Sequence, residues 1–306
     1  MAKVFIDGSA GTTGLRIRER LSARMDIELL ILPEETRKDP AARREMLNNS
    51  DISFLCLPDA AAIEAVSLVD NPDTVVIDTS TAHRTADGWV YGMPELTGLR
   101  EQLQTATRIA NPGCHASGFI ALVRPLVELG IIKKDNALSC FSLTGYSGGG
   151  KKMIAEYEGE HRSPLLDAPR IYALGQSHKH LSEMVKLCGL TKEPVFSPIV
   201  APFYSGMEVS VSLTKDDISC TLEDIKTAYK DYYQSGLIRY DDSSEDGFIS
   251  AAAFSGRDDM VVAAFGNDDR ITLISRFDNL GKGASGAAIQ NMNIRLGLDE
   301  AEGLIL

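Results

Sequence analysis

The chain of 306 residues is short of positive charge. Its 31 Lys and Arg face 43 Asp and Glu, a net charge of −12 with a pI near 4.9. Surfaces that bind nucleic acid or anionic membranes need basic faces, so neither partner is expected. An anionic small substrate remains compatible, because local Arg and Lys override a global balance. Cysteine is also sparse. Cys56, Cys114, Cys140, Cys188 and Cys220 form no Cys-x-x-Cys pair, which removes the usual zinc spacings. Their odd number and wide separation speak against a disulfide framework and fit a reducing, cytoplasmic compartment. No apolar run approaches the roughly 18 residues of a membrane span. The opening MAKVFIDG enters a strand at once and has neither the apolar core nor the cleavage site of a signal peptide. Internal repeats and low-complexity tracts are absent.

What is present is a soluble globular balance, 44% hydrophobic and 24% charged, in a length that suits two domains. Val4–Ile6 reads as a buried strand, residues 12–24 as a helix, and Ile27–Leu32 as a strand stopped by Pro33. Residues 38–48 read as a helix, Ile52–Leu57 as a strand stopped by Pro58, residues 59–69 as a helix and Val75–Ile77 as a fourth strand. This alternation predicts a Rossmann-type, doubly wound parallel sheet. After about residue 113 the pattern changes. A helix over 115–129 leads to strands at Leu138–Leu143, Met207–Leu213, Met260–Ala264 and Ile271–Ile274, with helices near 180–188 and 221–234. Those longer, alternating strands predict an α+β domain on a mixed, largely antiparallel sheet. Gly283–Leu298 carries a helical stripe through Ala287, Ile289, Met292 and Ile294, and Asp241–Gly247 is the polar run most like a mobile loop.

Between the first strand and first helix lies Gly8-Ser9-Ala10-Gly11-Thr12-Thr13-Gly14. Glycines there permit a tight turn and close approach of a pyrophosphate, and the helix N-terminus offers free N–H groups. Read alone, G-x-x-G-x-x-G is a turn that unrelated α/β proteins also use. Glu34, about twenty residues on, suits the ribose hydroxyls of NAD, whereas Arg37 and Lys38 suit the 2′-phosphate of NADP. The residues leave that choice open.

Asn111-Pro112-Gly113-Cys114 breaks a strand and starts an apolar helix. A thiol at a helix N-terminus is favoured as thiolate, the species that attacks an acyl phosphate or thioester. The other four cysteines read as packing residues. In Gln176-Ser177-His178-Lys179-His180-Leu181-Ser182-Glu183, His178 and His180 share a face if extended, and Glu183 comes within reach of His180 if a helix begins there. A histidine steered by a carboxylate is a usual acid or base. His-x-His also suggests a metal, but a third ligand is lacking and no metal is expected. Two anion-binding groups complete the survey. Asp78–Arg84 follows the carboxyl end of the fourth strand, with Ser80 a cofactor contact and Arg84 a clamp for carboxylate or phosphate. Gly145–Lys152 is a glycine-rich turn ending in cations, with Ser147, Gly148 and Lys151 as substrate contacts.

Taken in order, FIDGSAGTTG, IDTSTAHR, YGMPEL, NPGCHASG, GYSGGGKK, HKHLSE and GKGASGAAIQNMN resemble the N-acetyl-γ-glutamyl-phosphate reductase family in its shorter form, which is related to aspartate-semialdehyde dehydrogenase. The likeness runs nearly end to end. It implies NADP as cofactor and a C-terminal helix that returns to the nucleotide domain. The domains would then be 1–113 with 285–306 for dinucleotide binding, and 114–284 for catalysis and oligomerisation as a dimer or tetramer. It also implies Cys114 as nucleophile and His178, His180 and Glu183 as the catalytic cluster. One departure stands out. The family continues Asn-Pro-Gly-Cys with Tyr-Pro-Thr, where this chain has His115-Ala116-Ser117, and His115 is placed to alter the thiol.

The implied reaction is reductive dephosphorylation of an acyl phosphate through a Cys114 thioester, in arginine biosynthesis. His180 carries the proton, Glu183 orients it, His178 positions substrate, and the two histidine roles are exchangeable. Backbone N–H groups near Cys114 stabilise the oxyanion. The nearer alternative is a related reductase acting on aspartyl phosphate or a carrier-bound aminoadipyl phosphate. The more distant one is a nucleotide-binding regulator with an unreactive Cys114.

Overall fold

A computed structural model describes all 306 residues. The chain divides into two compact units, one of Met1–Pro112 with Ala284–Leu304 and one of Gly113–Gly283 with Ile305–Leu306. The first unit runs β1 (Ala2–Asp7), α1 (Thr12–Ser22), β2 (Ile27–Leu30), α2 (Pro40–Asn49), β3 (Ile52–Leu55), α3 (Asp59–Ser67), β4 (Val75–Asp78), β5 (Val90–Tyr91), α4 (Leu99–Thr105) and β6 (Arg108–Ala110). The second runs α5 (Cys114–Glu128), β7 (Ser139–Gly145), α6 (Gly150–Glu158), β8 (Arg170–Ile171), α7 (Leu181–Cys188), β9 (Val195–Ala201), β10 (Met207–Thr214), α8 (Leu222–Tyr232), β11 (Ile238–Tyr240), β12 (Met260–Asn267) and β13 (Arg270–Phe277). α9 (Gly286–Arg295) belongs to the first unit.

In the first unit six strands lie in the order β2-β1-β3-β4-β6-β5, every pair parallel. Side chains alternate across the sheet, so Val4 and Ile6 face one core and Phe5 the other. Val4, Ile6, Phe54 and Ile77 pack with Ile17 and Leu21 of α1 and with Ala288, Ile289 and Met292 of α9. Phe5, Leu55 and Val76 pack with Leu47 of α2 and Ala62 and Ala65 of α3. The doubly wound sheet expected from the apolar runs is therefore present. α2 starts two residues later than the sequence predicts, because Asp39 caps it by accepting the Ala41 N–H at 3.1 Å and Pro40 opens it. The predicted strands ending at Leu32 and Leu57 close at Leu30 and Leu55. The residues that follow turn into the loops of a cavity described below.

The second unit carries seven strands ordered β11-β12-β13-β10-β7-β9-β8. β7–β9 and β11–β12 are parallel and the other four pairs antiparallel, which is the mixed sheet the sequence predicts. α5 lies against β10 and β13 at a close approach. A Cβ on Gly118 would meet Val209 Cγ2 at 2.4 Å and Ser275 Oγ at 2.7 Å. Tyr229 and Tyr233 hold α8 to α5 by donating to the Leu122 and Ala121 carbonyls at 2.5 and 2.7 Å. The opposite face of the sheet is bare at Phe141, Ile171 and Val195, which the register places on the same side.

Candidate active site

In the first unit the chain leaves β1 at Gly8, whose φ of +88° and missing side chain are both required. A Cβ there would sit 2.3 Å from the Cys56 carbonyl oxygen. Gly11 donates its N–H to Gly8 O at 3.0 Å and caps α1 in extended backbone. Gly14, in the first helical turn, lies so close beneath that a Cβ would be 2.5 Å from Gly8 O. Gly8, Ser9, Ala10 and Gly11 line a cavity of about 280 Å³, together with Leu30–Leu32, Arg37, Lys38 and Cys56–Pro58. Thr12 and Thr13 open α1, and the Thr12 Oγ1 is buried with no partner. An orphan hydroxyl at a helix N-terminus, beside a glycine turn, fits the phosphates of a dinucleotide. Glu34 does not line the cavity and instead pairs with Arg37 at 3.0 Å.

Ser80 follows β4 and donates its hydroxyl to the buried Asp78 carboxylate at 2.7 Å. Asp78 also holds His83 Nδ1 at 2.6 Å, and the His83 ring stacks on Trp89 at 4.1 Å. Arg84 was expected as an anion clamp. Its Nε and Nη2 donate to the Asn111 and Thr79 carbonyls at 2.9 and 3.0 Å. These bonds tie the loop after β4 to the end of β6, so its main visible work is to hold backbone.

The second unit opens with Gly113 as the N-cap of α5 and Cys114 as its first residue, half-buried. Cys114 thus stands at the positive end of a 15-residue, largely buried helix. Glu183, buried on α7, accepts the Gly113 N–H at 3.0 Å through Oε2. Its Oε1 lies 4.0 Å from His180 Nε2. The sequence assigns Glu183 to orienting His180; the structure adds that the same carboxylate fixes the turn that presents Cys114. Gly283 backs Cys114, since a Cβ there would come within 3.0 Å of Cys114 Cβ.

His178 and His180 do meet. Their rings pack edge to face at 4.7 Å, and His180 donates its backbone N–H to His178 Nδ1 at 3.2 Å. His180 is buried, the N-cap of α7, and His178 is half-buried. A third imidazole joins them. His115, on α5, lies 5.7 Å from His178 and 5.6 Å from His180. Its Nδ1 is 2.6 Å from Ser142 Oγ and its Nε2 2.6 Å from Tyr172 Oη. Burial, and then the neighbouring His178, depress its pKa to about 3. The expectation that His115 acts directly on the thiol is therefore modified: it is neutral, with both ring nitrogens engaged.

The glycine-rich turn is more ordered than its composition suggests. Tyr146–Gly149 is a 3₁₀ turn and Gly150–Glu158 is α6. Ser147 is buried and its Oγ accepts from Asn279 Nδ2 at 3.0 Å, while Gly148 packs beside Asn279 and Thr144. Lys151 lies exposed in the first turn of α6. The other cysteines are unsuited to attack. Burial pushes the Cys56 thiol up to about 12, and those of Cys140 and Cys188 higher. Desolvation and two nearby carboxylates, Asp224 and Asp268, raise that of Cys220.

Sequence reading misses Tyr172, Ser142 and Phe196, which surround the imidazoles. Tyr172 follows a two-residue strand and Phe196 lies on β9, neither of which shows enough alternation to draw attention. Gln176, quoted only as part of a motif, has a φ of +53°. Its amide pairs with the Phe196 backbone through both Nε2 and Oε1, each at 2.8 Å, fixing the turn before His178.

Two families match the chain: the semialdehyde dehydrogenase NAD binding domain over residues 33–106, and the semialdehyde dehydrogenase dimerisation domain over 114–279. An N-acetyl-gamma-glutamyl-phosphate reductase 2 of Nostoc sp. is 46% identical, covering 99% of each chain. An N-acetyl-gamma-glutamyl-phosphate reductase of Sinorhizobium medicae is 43% identical over 96% of this chain and 98% of its own. Among solved structures, aspartate semialdehyde dehydrogenase II of Vibrio cholerae has a TM-score of 0.74 at 16% identity, covering 97% of this chain and 98% of its own; at that identity it speaks to fold alone.

Proposed function

The chain belongs to the N-acetyl-gamma-glutamyl-phosphate reductases of the semialdehyde dehydrogenase family, and on that premise we propose that it reduces N-acetyl-γ-glutamyl phosphate to N-acetylglutamate 5-semialdehyde, releasing phosphate and oxidising NADPH, a step of arginine biosynthesis. The observation that carries this reading is the thiol of Cys114 at the head of α5, on a turn whose Gly113 N–H is held by Glu183, beside the His178–His180 pair.

The Cys114 thiolate attacks the acyl carbon, the carbon–oxygen bond to phosphate breaks, and a thioester remains. The N-terminal amides of α5 favour both the thiolate and the oxyanion that forms on the substrate oxygen. NADPH, when bound, supplies the hydride that reduces the thioester carbon. His180 gives the substrate oxygen its proton and takes it back as the carbon–sulfur bond breaks, which frees the aldehyde and regenerates the thiolate. Glu183 Oε1, 4.0 Å from His180 Nε2, orients that imidazole, and His178 positions substrate.

The choice of NADP rests on Arg37 and Lys38 lining the cavity while Glu34 stays outside it. Lys151 is the retained candidate for the substrate's anionic end, since Arg84 donates to two backbone carbonyls and Ser147 Oγ accepts from the Asn279 side chain. The bare face of Phe141, Ile171 and Val195 supports self-association into a dimer or tetramer. Five free thiols suit a reducing, cytoplasmic location, and no helix is long and apolar enough to cross a membrane.

The test is phosphate-dependent NADP reduction with N-acetylglutamate 5-semialdehyde and, separately, with aspartate semialdehyde. Preference for the first is expected. Equal or better turnover of the second would transfer the chain to the aspartyl branch of the family.

A further inference from the structure

In a chain with 43 Asp and Glu against 31 Lys and Arg, the cavity beside the glycine turn of the first unit gathers three cations. Arg37 and Lys38 come from the loop after β2, and Arg18 comes from α1. Neither the glycine motif nor the spacing of Glu34 accounts for Arg18. We propose that Arg18 is a specificity-determining residue that grips the 2′-phosphate of NADP. This deepens, and rests on, the reading of the cavity as an NADP site.

Position supports this role. The glycine turn and the first amides of α1 suit the pyrophosphate. Arg18 is set back from them, about 9 Å along the helix from Thr12 at 1.5 Å per residue. It shares the cavity with Leu29–Leu32, Arg37 and Lys38, at the carboxyl end of β2. In a doubly wound sheet that end of the second strand is where the adenosine ribose is recognised. The 2′-phosphate hangs from that ribose and is all that separates NADP from NAD.

Availability sets Arg18 apart from its neighbours. Arg37 Nη2 lies 3.0 Å from Glu34 Oε1, so a carboxylate already shares its charge. The Arg18 guanidinium has no ion pair and no hydrogen bond, while Arg16 and Arg20 on either side of it are both engaged. The helix explains this. Three and four residues from Arg18 stand Gly14, Leu15, Leu21 and Ser22, so no carboxylate of α1 is placed to reach it. Lys38 is also unpaired, but an ammonium lacks the planar fork that matches phosphate oxygens. Opposing charge is absent as well. Asp7 is the one carboxylate lining the cavity, and Arg43 neutralises it through Nε and Nη2, each at 2.9 Å. A doubly charged phosphate there meets a free guanidinium and no uncompensated acid.

The test is binding rather than turnover. Calorimetric titrations of the apoprotein use NADP and NAD, and then the fragments adenosine 2′,5′-bisphosphate and 5′-AMP, which differ only in the 2′-phosphate. Arg18→Ala is expected to weaken NADP and the bisphosphate by about tenfold or more, the size of a lost charge-assisted contact, and to leave NAD and 5′-AMP within about twofold. Arg18→Lys keeps the charge without the fork and is expected to fall between wild type and Arg18→Ala. Arg18 is exposed, and thermal melts of both variants check that the fold is intact. Wild-type affinity for NADP in folded Arg18→Ala overturns the proposal. So does an equal loss for NADP and NAD, which would put Arg18 on a part the two share. A wild-type protein that binds the bisphosphate no more tightly than 5′-AMP would strike the NADP reading of the cavity itself, and the role of Arg18 with it.

Discussion

Acidifying the protein should weaken it through His115. That imidazole is buried at 3% exposure, and its pKa falls from an ordinary 6.5 to about 3 in the folded state. A histidine depressed in this way leaves the unfolded chain binding more protons between those two values. Stability is therefore fully present above pH 6.5, drains away as pH falls, and levels off near pH 3. From pH 7 to pH 5.5 the linkage relation gives a loss of roughly 1.3 kcal/mol from this residue alone. The assay is urea unfolding at both pH values, for wild type and for His115→Gln, whose amide can still meet Ser142 and Tyr172. Groups other than His115 contribute equally to both proteins and cancel in the difference. Wild type should lose about 1 kcal/mol more than the variant over that interval. Equal losses would show that His115 is either solvated or protonated in the fold, and the neutral-ring argument would fail.

Further outcomes follow from single contacts. Glu183→Ala should cost about 2 kcal/mol, because the buried Gly113 N–H loses a charged acceptor; Glu183→Gln should keep most of the stability and still lose at least about tenfold in kcat. Loss of stability in the Gln variant equal to that in Ala would mean the amide cannot replace the carboxylate at Gly113. Arg37→Ala should weaken NADP binding by about tenfold and leave NAD binding unchanged, and an equal change for both would remove Arg37 from the 2′-phosphate. Gly118→Ala should lower stability by about 1–3 kcal/mol in thermal melts, since the new methyl enters Val209 and Ser275. An unchanged melt would show that α5 can ride up off the sheet.

The parallel sheet is legible because β1, β3 and β4 are largely buried on both faces and read as short runs dominated by apolar residues, with Ser53 the one polar side chain inside β3. β5, β6 and β8 are too short, at two or three residues, to show any period. β9 holds Ser197 and Pro198 in mid-strand, which hide its alternation from a reader of the sequence. Glycines likewise disguise α6, whose first residue is Gly150. At the site, Cys114 and the His178–Glu183 segment are legible because local spacing carries their chemistry. Ser142 and Tyr172 are not, since they reach His115 from 27 and 57 residues away. Arg84 looks like an anion clamp in sequence because nothing there reveals the two carbonyls that hold it.

The most direct test of the covalent mechanism is to look for the acyl-enzyme. The protein is incubated with N-acetylglutamate 5-semialdehyde and NADP without phosphate, quenched in acid and mapped by mass spectrometry. An N-acetylglutamyl adduct on the Cys114 peptide, released by hydroxylamine and absent from Cys114→Ser, is the expected result. Full turnover by Cys114→Ser, or an adduct on any other residue, would contradict it.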